Sequence, residues 1–147
     1  MAERKTTKNS AAETVTVGSL GFTPYKEKKG EAYMNDSQLA HFHEILDQWK
    51  AKLMQEVDTT VVHMKEEAAN YADPLDRAAQ EEGFSLELRT RDRERRLIKK
   101  IEQSLDHIET NDYGYCESCG AEIGIRRLEA RPTADKCIDC KTFEEIR

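Results

Sequence analysis

The chain has 147 residues, which leaves room for one modest domain or for a small domain with an extension. Charged residues make up 35% of it and apolar residues 37%, with only 7% aromatic, poor material for a spherical core but well suited to long exposed helices with one apolar stripe. A net charge of −6 offers no dominant basic surface for DNA phosphates, and no apolar run approaches the ~20 residues of a membrane span.

Residues 1–34 form an N-terminal segment that opens on a polar stretch without periodicity. Its basic start is not followed by a signal-peptide core, so a cytoplasmic location is expected. Val15, Val17, Leu20, Phe22 and Tyr25 suit a short piece that docks on the globular part, while Gly18, Gly21 and Pro24 exclude a long helix there.

A coiled-coil hairpin is expected over 35–110. Asn35 or Asp36 can cap its first arm. Apolar residues then recur at Leu39, Phe42, Leu46, Trp49, Leu53, Val57, Val61, Met64 and Ala68, in steps of three and four with no Gly or Pro between. The tip lies at 70–77. Pro74 cannot continue the incoming helix, whereas Asp73 is a good N-cap for the next one, with Pro74 at its first position and Asp76 at its third. Two carboxylates therefore face the positive end of a helix dipole at the end of a long rod. They serve as caps, as a functional pair, or as both.

The returning arm runs from Pro74 to about Glu109. Its far half carries Leu97 or Ile98, Ile101, Leu105 and Ile108, and its near half Ala78, Ala79, Phe84, Leu86 and Leu88. Folding back at the tip brings Leu88 near Val61 and Lys100 near Trp49. The stretch Arg89 to Arg96 has no large apolar residue, so Arg and Glu stems must cover the seam there. Gly83 inside the helix costs about 1 kcal/mol relative to Ala and predicts a more flexible distal finger. The first arm is net acidic and residues 77–100 net basic, which favours antiparallel pairing, although most of these charges suit solvated faces. Gly114 is a candidate stop or turn. The four histidines, at 41, 43, 63 and 107, read as helix-surface residues.

A metal module fills 111–147. Cys116 and Cys119 form one CxxC pair and Cys137 and Cys140 a second, a four-cysteine zinc pattern in which each turn delivers two thiolates to half of a tetrahedron. With no open position the Zn²⁺ is structural, one per chain, and stands in for a core that so short a piece cannot build. Between the pairs, Ile123-Gly124-Ile125-Arg126 suits a short strand or turn, and a C-terminal helix starts near Cys137. Arg126, Arg127, Arg131, Lys136 and Lys141, with Lys99 and Lys100 at the hairpin base, either form a local anion site or pair with nearby acids. No phosphate loop, nucleophile elbow or catalytic spacing is present, and no active site is expected. The fold class is thus mainly α, a long antiparallel two-helix coiled coil projecting from a small four-cysteine zinc-finger module with a C-terminal helix.

The tip from Asp73 to Glu82, the stretches Phe84 to Arg89, Arg93 to Arg95 and Leu97 to Ile101, and the block from Tyr115 to Lys141 resemble the DksA family of bacterial transcription factors. The resemblance covers roughly residues 24–147. It implies a non-enzymatic regulator that acts on RNA polymerase as a monomer, whose coiled-coil tip enters the secondary channel and alters open-complex stability. The alarmone (p)ppGpp of the stringent response acts with it at the polymerase interface. Ribosomal RNA promoters are repressed and some amino-acid biosynthesis promoters activated, without sequence-specific DNA binding. Carried over by position, the tip residues are Asp73, Asp76 and Ala78, the alarmone contacts Leu97, Lys100, Arg131 and Lys141, and the zinc ligands Cys116, Cys119, Cys137 and Cys140. Thr90 stands where relatives often have Asn, and Gly83 where they have a helix former.

Three other functions remain compatible with parts of the sequence. A zinc-finger DNA binder needs a basic reading helix, and the C-terminal helix carries Asp139, Glu144 and Glu145. A polymerase cleavage factor would use tip acids to hold Mg²⁺. A redox chaperone would need exposed, low-pKa cysteines.

Overall fold

The structure, a computed structural model, describes residues 14–17, 20–68 and 74–146, with Ala68, Pro74 and Leu75 as backbone only. In chain order it comprises β1 (Val15–Val17), β2 (Leu20–Phe22), α1 (Asp36–Ala68), α2 (Pro74–Glu109), α3 (Ile125–Ala130) and α4 (Ile138–Ile146). The expected tip residues 70–73, Asp73 among them, lie outside the described residues.

Capping chemistry sets the start of α1. The Asn35 carboxamide oxygen accepts from the Gln38 amide at 2.9 Å, and the Gln38 side chain reaches back to accept from the Met34 amide at 2.6 Å. Reciprocal bonding of this kind satisfies two otherwise orphaned N–H groups. The end of α2 is equally specific. Asn111 takes a left-handed φ of 61°, its amide bonds Ile108 O at 3.3 Å, and the Asp112 amide bonds His107 O at 2.8 Å. This is a Schellman stop with Asn in the usual glycine position. Gly114, expected as a stop or turn, falls three residues later and turns the chain into the metal module.

The two long helices pack as an antiparallel hairpin, and α1 alone spans roughly 50 Å at 1.5 Å per residue. Burial is concentrated at the base. Phe42, Ile45, Leu46, Trp49 and Leu53 of α1 meet Ile101 of α2, and Tyr113, Ile123, Ile125 and Leu128 close the same core from the metal module. Each such side chain contributes about 1.5–3 kcal/mol by leaving water. Toward the tip Val57 is buried, but Val61, Met64 and Phe84 are only half covered.

The distal seam corrects the expected stripe. Leu86 and Leu88 are 60% and 47% exposed, so they point outward. Glu87, Thr90, Arg91 and Glu94 take the seam-facing positions instead. Arg91 and Glu94 form an ion pair with side chains only 16% and 19% exposed, which fits the expectation of charged stems covering the seam. The anticipated attraction of an acidic first arm for a basic second arm is not what crosses the seam at Lys50–Glu102, where the signs are reversed at 3.2 Å. Arg91 and Arg95 pair within their own helix.

In the N-terminal segment β1 and β2 pair antiparallel, with Val15 opposite Phe22, Thr16 opposite Gly21 and Val17 opposite Leu20. β1 lies against α3 and β2 against α1. His41, expected on the surface, is instead wedged between the rings of Phe22, Tyr25 and Phe42. Its Nε2 is buried without a partner, and burial holds its pKa below the ordinary histidine value. The run at Ile123–Arg126, expected as a strand or turn, becomes a glycine turn followed by α3.

A Cβ at Gly83 would meet nothing within 4 Å. Gly83→Ala should therefore add up to about 1 kcal/mol of stability through helix propensity alone. Urea unfolding measures the gain, and slower amide exchange over residues 80–88 should accompany it. An unchanged midpoint would show that this position is not a weak point of the finger.

Candidate functional site

Four sulfurs converge at the base of the finger. The Sγ atoms of Cys116, Cys119, Cys137 and Cys140 all lie within 4.8 Å of one another, and Cys119 and Cys137 are 3.6 Å apart. A tetrahedron with Zn–S bonds of about 2.3 Å has edges of about 3.8 Å, so the four thiolates fit one Zn²⁺ and complete its coordination. Backbone donors are already aimed at the first ligand. The amide of Cys137, then those of Cys119 and Ser118, lower the Cys116 pKa to about 6. Its neighbours Cys137, Cys119 and Cys116 push Cys140 up to about 12. A metal ion removes that conflict, because it lets all four sulfurs be thiolates together.

Local backbone pairing builds the two cysteine turns. Cys116 N bonds Ala121 O at 2.7 Å, Gly120 N bonds Cys116 O at 2.9 Å and Ile123 N bonds Gly114 O at 2.9 Å, closing a small loop around the first pair. Glu117 N bonds Asp135 O at 2.8 Å and ties that loop to the approach of the second pair. α4 then starts at Ile138, so Cys140 sits in its first turn.

Tyr33, which no local sequence pattern marks, holds this module to the N-terminal segment. Its hydroxyl donates to Gly114 O at 2.8 Å and accepts from Gly124 N at 2.9 Å, and its ring meets Tyr115 edge-on. Both partners have positive φ, 91° at Gly114 and 103° at Gly124. A Cβ on Gly114 would come within 2.8 Å of the Met34 side chain, so the close approach requires glycine. Nearby, the buried Glu129 carboxylate accepts from Tyr25 N at 3.3 Å, and burial raises its pKa.

Beside the metal site a cleft of about 1050 Å³ opens between α2, the cysteine loop and α4. Leu97, Lys100, Arg127, Arg131, Lys136 and Lys141 line it. The four residues assigned by resemblance to the alarmone thus share one cleft. Of the wider cationic set, Arg126 points away to solvent, 77% exposed and 3.8 Å from Glu129, and Lys99 is not part of the lining. Lys100 and Arg131 make no ion pair among the described residues, whereas Lys136 and Lys141 do. Hydrogen bonding from Lys136, then its charge, lowers the Glu144 pKa and raises that of Lys136. Pairing with nearby acids, one of the two alternatives for these cations, thus holds for Lys136 and Lys141 but not for Lys100 and Arg131 among the described residues.

At the other end, Asp76 and Ala78 are exposed on the first turns of α2. Lys100 lies 24 residues further along the same helix, roughly 36 Å from Asp76. The two candidate regions are separate, joined by one helix.

Known families match these features over most of the chain. The family described as DnaK suppressor protein DksA, N-terminal domain, matches residues 38–108, and the prokaryotic dksA/traR C4-type zinc finger matches residues 111–145. The RNA polymerase-binding transcription factor DksA of Escherichia coli K12 is 63% identical over 100% of this chain and 96% of its own length. The protein of the same name from Haemophilus influenzae is 61% identical over 94% of this chain and 95% of its own. Among solved structures, transcription factor DksA2 from Pseudomonas aeruginosa superposes with a TM-score of 0.74 at 34% identity, covering 79% of this chain and 89% of that one.

Tyr33→Phe removes both hydroxyl bonds and leaves Gly124 N unsatisfied, a cost of about 1–2 kcal/mol. Zinc loss to a chelator is expected to speed up roughly tenfold, with the helical far-UV signal retained. An unchanged release rate would mean that the N-terminal segment does not brace the metal module. Complete removal of zinc should melt the 111–146 module while leaving much of the α1–α2 hairpin helical.

Proposed function

The chain belongs to the DksA family with its C4-type zinc finger, and from that premise we propose that it is a transcription regulator that binds RNA polymerase directly. The finger formed by α1 and α2 enters the secondary channel, and its tip alters the stability of open promoter complexes. The cleft at the base takes (p)ppGpp at the contact with polymerase. The protein acts as a monomer in the cytoplasm, has no catalytic activity of its own and reads no DNA sequence. Ribosomal RNA promoters are repressed and some amino-acid biosynthesis promoters activated.

The observation that carries this reading is the separation of parts along one rod. Asp76 and Ala78 stand exposed near the tip, roughly 36 Å from a cationic cleft at the base. A long, thin, polar-surfaced finger can enter a channel where a globular domain cannot. Lys100, Arg131 and Lys141 supply charge-assisted bonds for a ligand with two diphosphates, and Leu97 supplies an apolar contact for its base. The C-terminal helix argues against DNA reading, since Asp139, Glu144 and Glu145 are exposed on it. No helix among the described residues is long and apolar enough to cross a membrane.

The roles proposed here divide the chain into separable functions. The tip acids, Asp73 and Asp76, are needed for the effect on the open complex but not for docking, which the length of the rod supplies. The test is open-complex lifetime on a ribosomal RNA promoter with purified polymerase, with and without this protein and with and without ppGpp. Lifetime should fall with the protein and fall further with ppGpp. Asp76→Asn should retain polymerase affinity within about twofold and lose the effect on lifetime; parallel loss of both would refute the division. Lys100→Ala should raise the ppGpp concentration needed for half-effect by about tenfold or more, the scale of one charge-assisted bond. Unchanged lifetime together with a footprint on free DNA, or with stimulated transcript cleavage, would instead favour a DNA binder or a cleavage factor.

A further inference from the structure

The cations of the cleft are not equivalent. Lys100 and Arg131 carry no counter-ion among the described residues, but Lys136 and Lys141 share a single carboxylate. Glu144 places Oε1 at 2.8 Å from Lys136 Nζ and Oε2 at 3.4 Å from Lys141 Nζ. Glu145 adds a looser contact to Lys141 at 3.8 Å. Glu144 itself is not among the residues that line the cleft.

Backbone spacing sets up this bridge. Lys141 and Glu144 are three residues apart on α4 and so share a face. Lys136 immediately precedes Cys137, and Lys141 immediately follows Cys140. Two metal-ligating positions therefore hold the two lysines at one spacing, and one carboxylate spans them. Lys136 is also the less exposed of the two amines, at 25% against 37%. Arg127 Nε donates to the Lys136 carbonyl at 3.2 Å, which fixes the backbone on the other side.

We infer that Glu144 is a built-in competitor for the anion cleft, and that Lys136 is a fifth cation of that cleft alongside Lys100, Arg127, Arg131 and Lys141. The inference rests on the reading of the cleft as a (p)ppGpp site and adds a regulatory element to it. In the free protein the single Glu144 carboxylate pairs with both Lys136 and Lys141 and offsets part of their charge. An incoming diphosphate carries more charge than one carboxylate and takes over both amines, and Glu144 turns out to solvent, where it is already half exposed. A singly charged anion gains too little to make that exchange. The bridge thus raises the threshold for the ligand and selects for clustered phosphates.

The experiment measures the half-effect concentration of guanosine tetraphosphate on open-complex lifetime, using the zinc-loaded full chain with purified polymerase. Glu144→Gln keeps the helix and the side-chain size but removes the competing charge. It should lower the half-effect concentration about two- to tenfold, the combined worth of two partly exposed ion pairs. Glu144→Ala should do the same, and zinc content confirms that each variant is folded. Lys136→Met should raise the half-effect concentration, because it removes one cation and leaves Glu144 to Lys141 alone. If both Glu144 variants match the parent while Lys100→Ala raises the value, the cleft stands as the nucleotide site and the competitor role is overturned. If Lys100→Ala also changes nothing, the reading of the cleft fails and the inference falls with it.

Discussion

A hairpin of two helices more than thirty residues long has too little seam to be held along its whole length, so the fold depends on a clamp at one end. The clamp is the apolar cluster in which Phe42, Leu46, Trp49 and Ile101 meet Tyr113, Ile123 and Leu128. One side of that cluster comes from the finger and the other from a module too small to make a core alone. The four cysteines and one Zn²⁺ give that module its shape, and Tyr33 and the β1–β2 hairpin brace it from the N-terminal side. Beyond Val57 the described part of the seam mixes the Arg91–Glu94 pair with the partly covered Val61, Met64 and Phe84.

Such a design favours reach over rigidity. Burying Arg91 and Glu94 against the facing helix contributes less than a pair of leucines would, yet it keeps the distal finger from exposing an apolar stripe. The outward-facing Leu86 and Leu88, with Met54 and Val62 on α1, leave scattered apolar contacts on an otherwise charged rod. Charge follows the same division. The base gathers positive charge onto an acidic protein by lining one cleft with lysines and arginines from α2, α4 and the loop between the cysteine pairs. The far end presents acids on the first turns of α2.

Much of this was legible in the sequence because it is set locally. The span of α1 follows from Asn35, an uninterrupted three-four stripe and the absence of Gly or Pro, and the start of α2 from Pro74. The zinc site follows from cysteine spacing alone. What escaped was set by tertiary contacts. Leu86 and Leu88 looked like seam residues, but the helix phase gives those places to Glu87 and Arg91. α3 was hidden because Ile-Gly-Ile alternates as a strand does, and its helix starts only after Gly124 turns through positive φ. The burial of His41 is hidden because nothing near it in sequence shows that the β2 strand folds over it. The Tyr33 bolt joins positions 81 and 91 residues apart, and the partition of cations between free and Glu144-paired is decided by side-chain geometry on α4. Residue types and charge balance could mark the anion cluster but not say which members were already occupied.

The most direct test of the central claim is a contact map of the finger inside polymerase. A photo-crosslinking residue at position 76, and separately at position 88, is incorporated into the full zinc-loaded chain and activated with purified polymerase. The account requires the position-76 product to map to segments bordering the catalytic centre and the position-88 product to the channel wall about 18 Å further out, the distance set by twelve helical residues. Crosslinks from both positions to promoter DNA, or to the outer surface of polymerase, would contradict it.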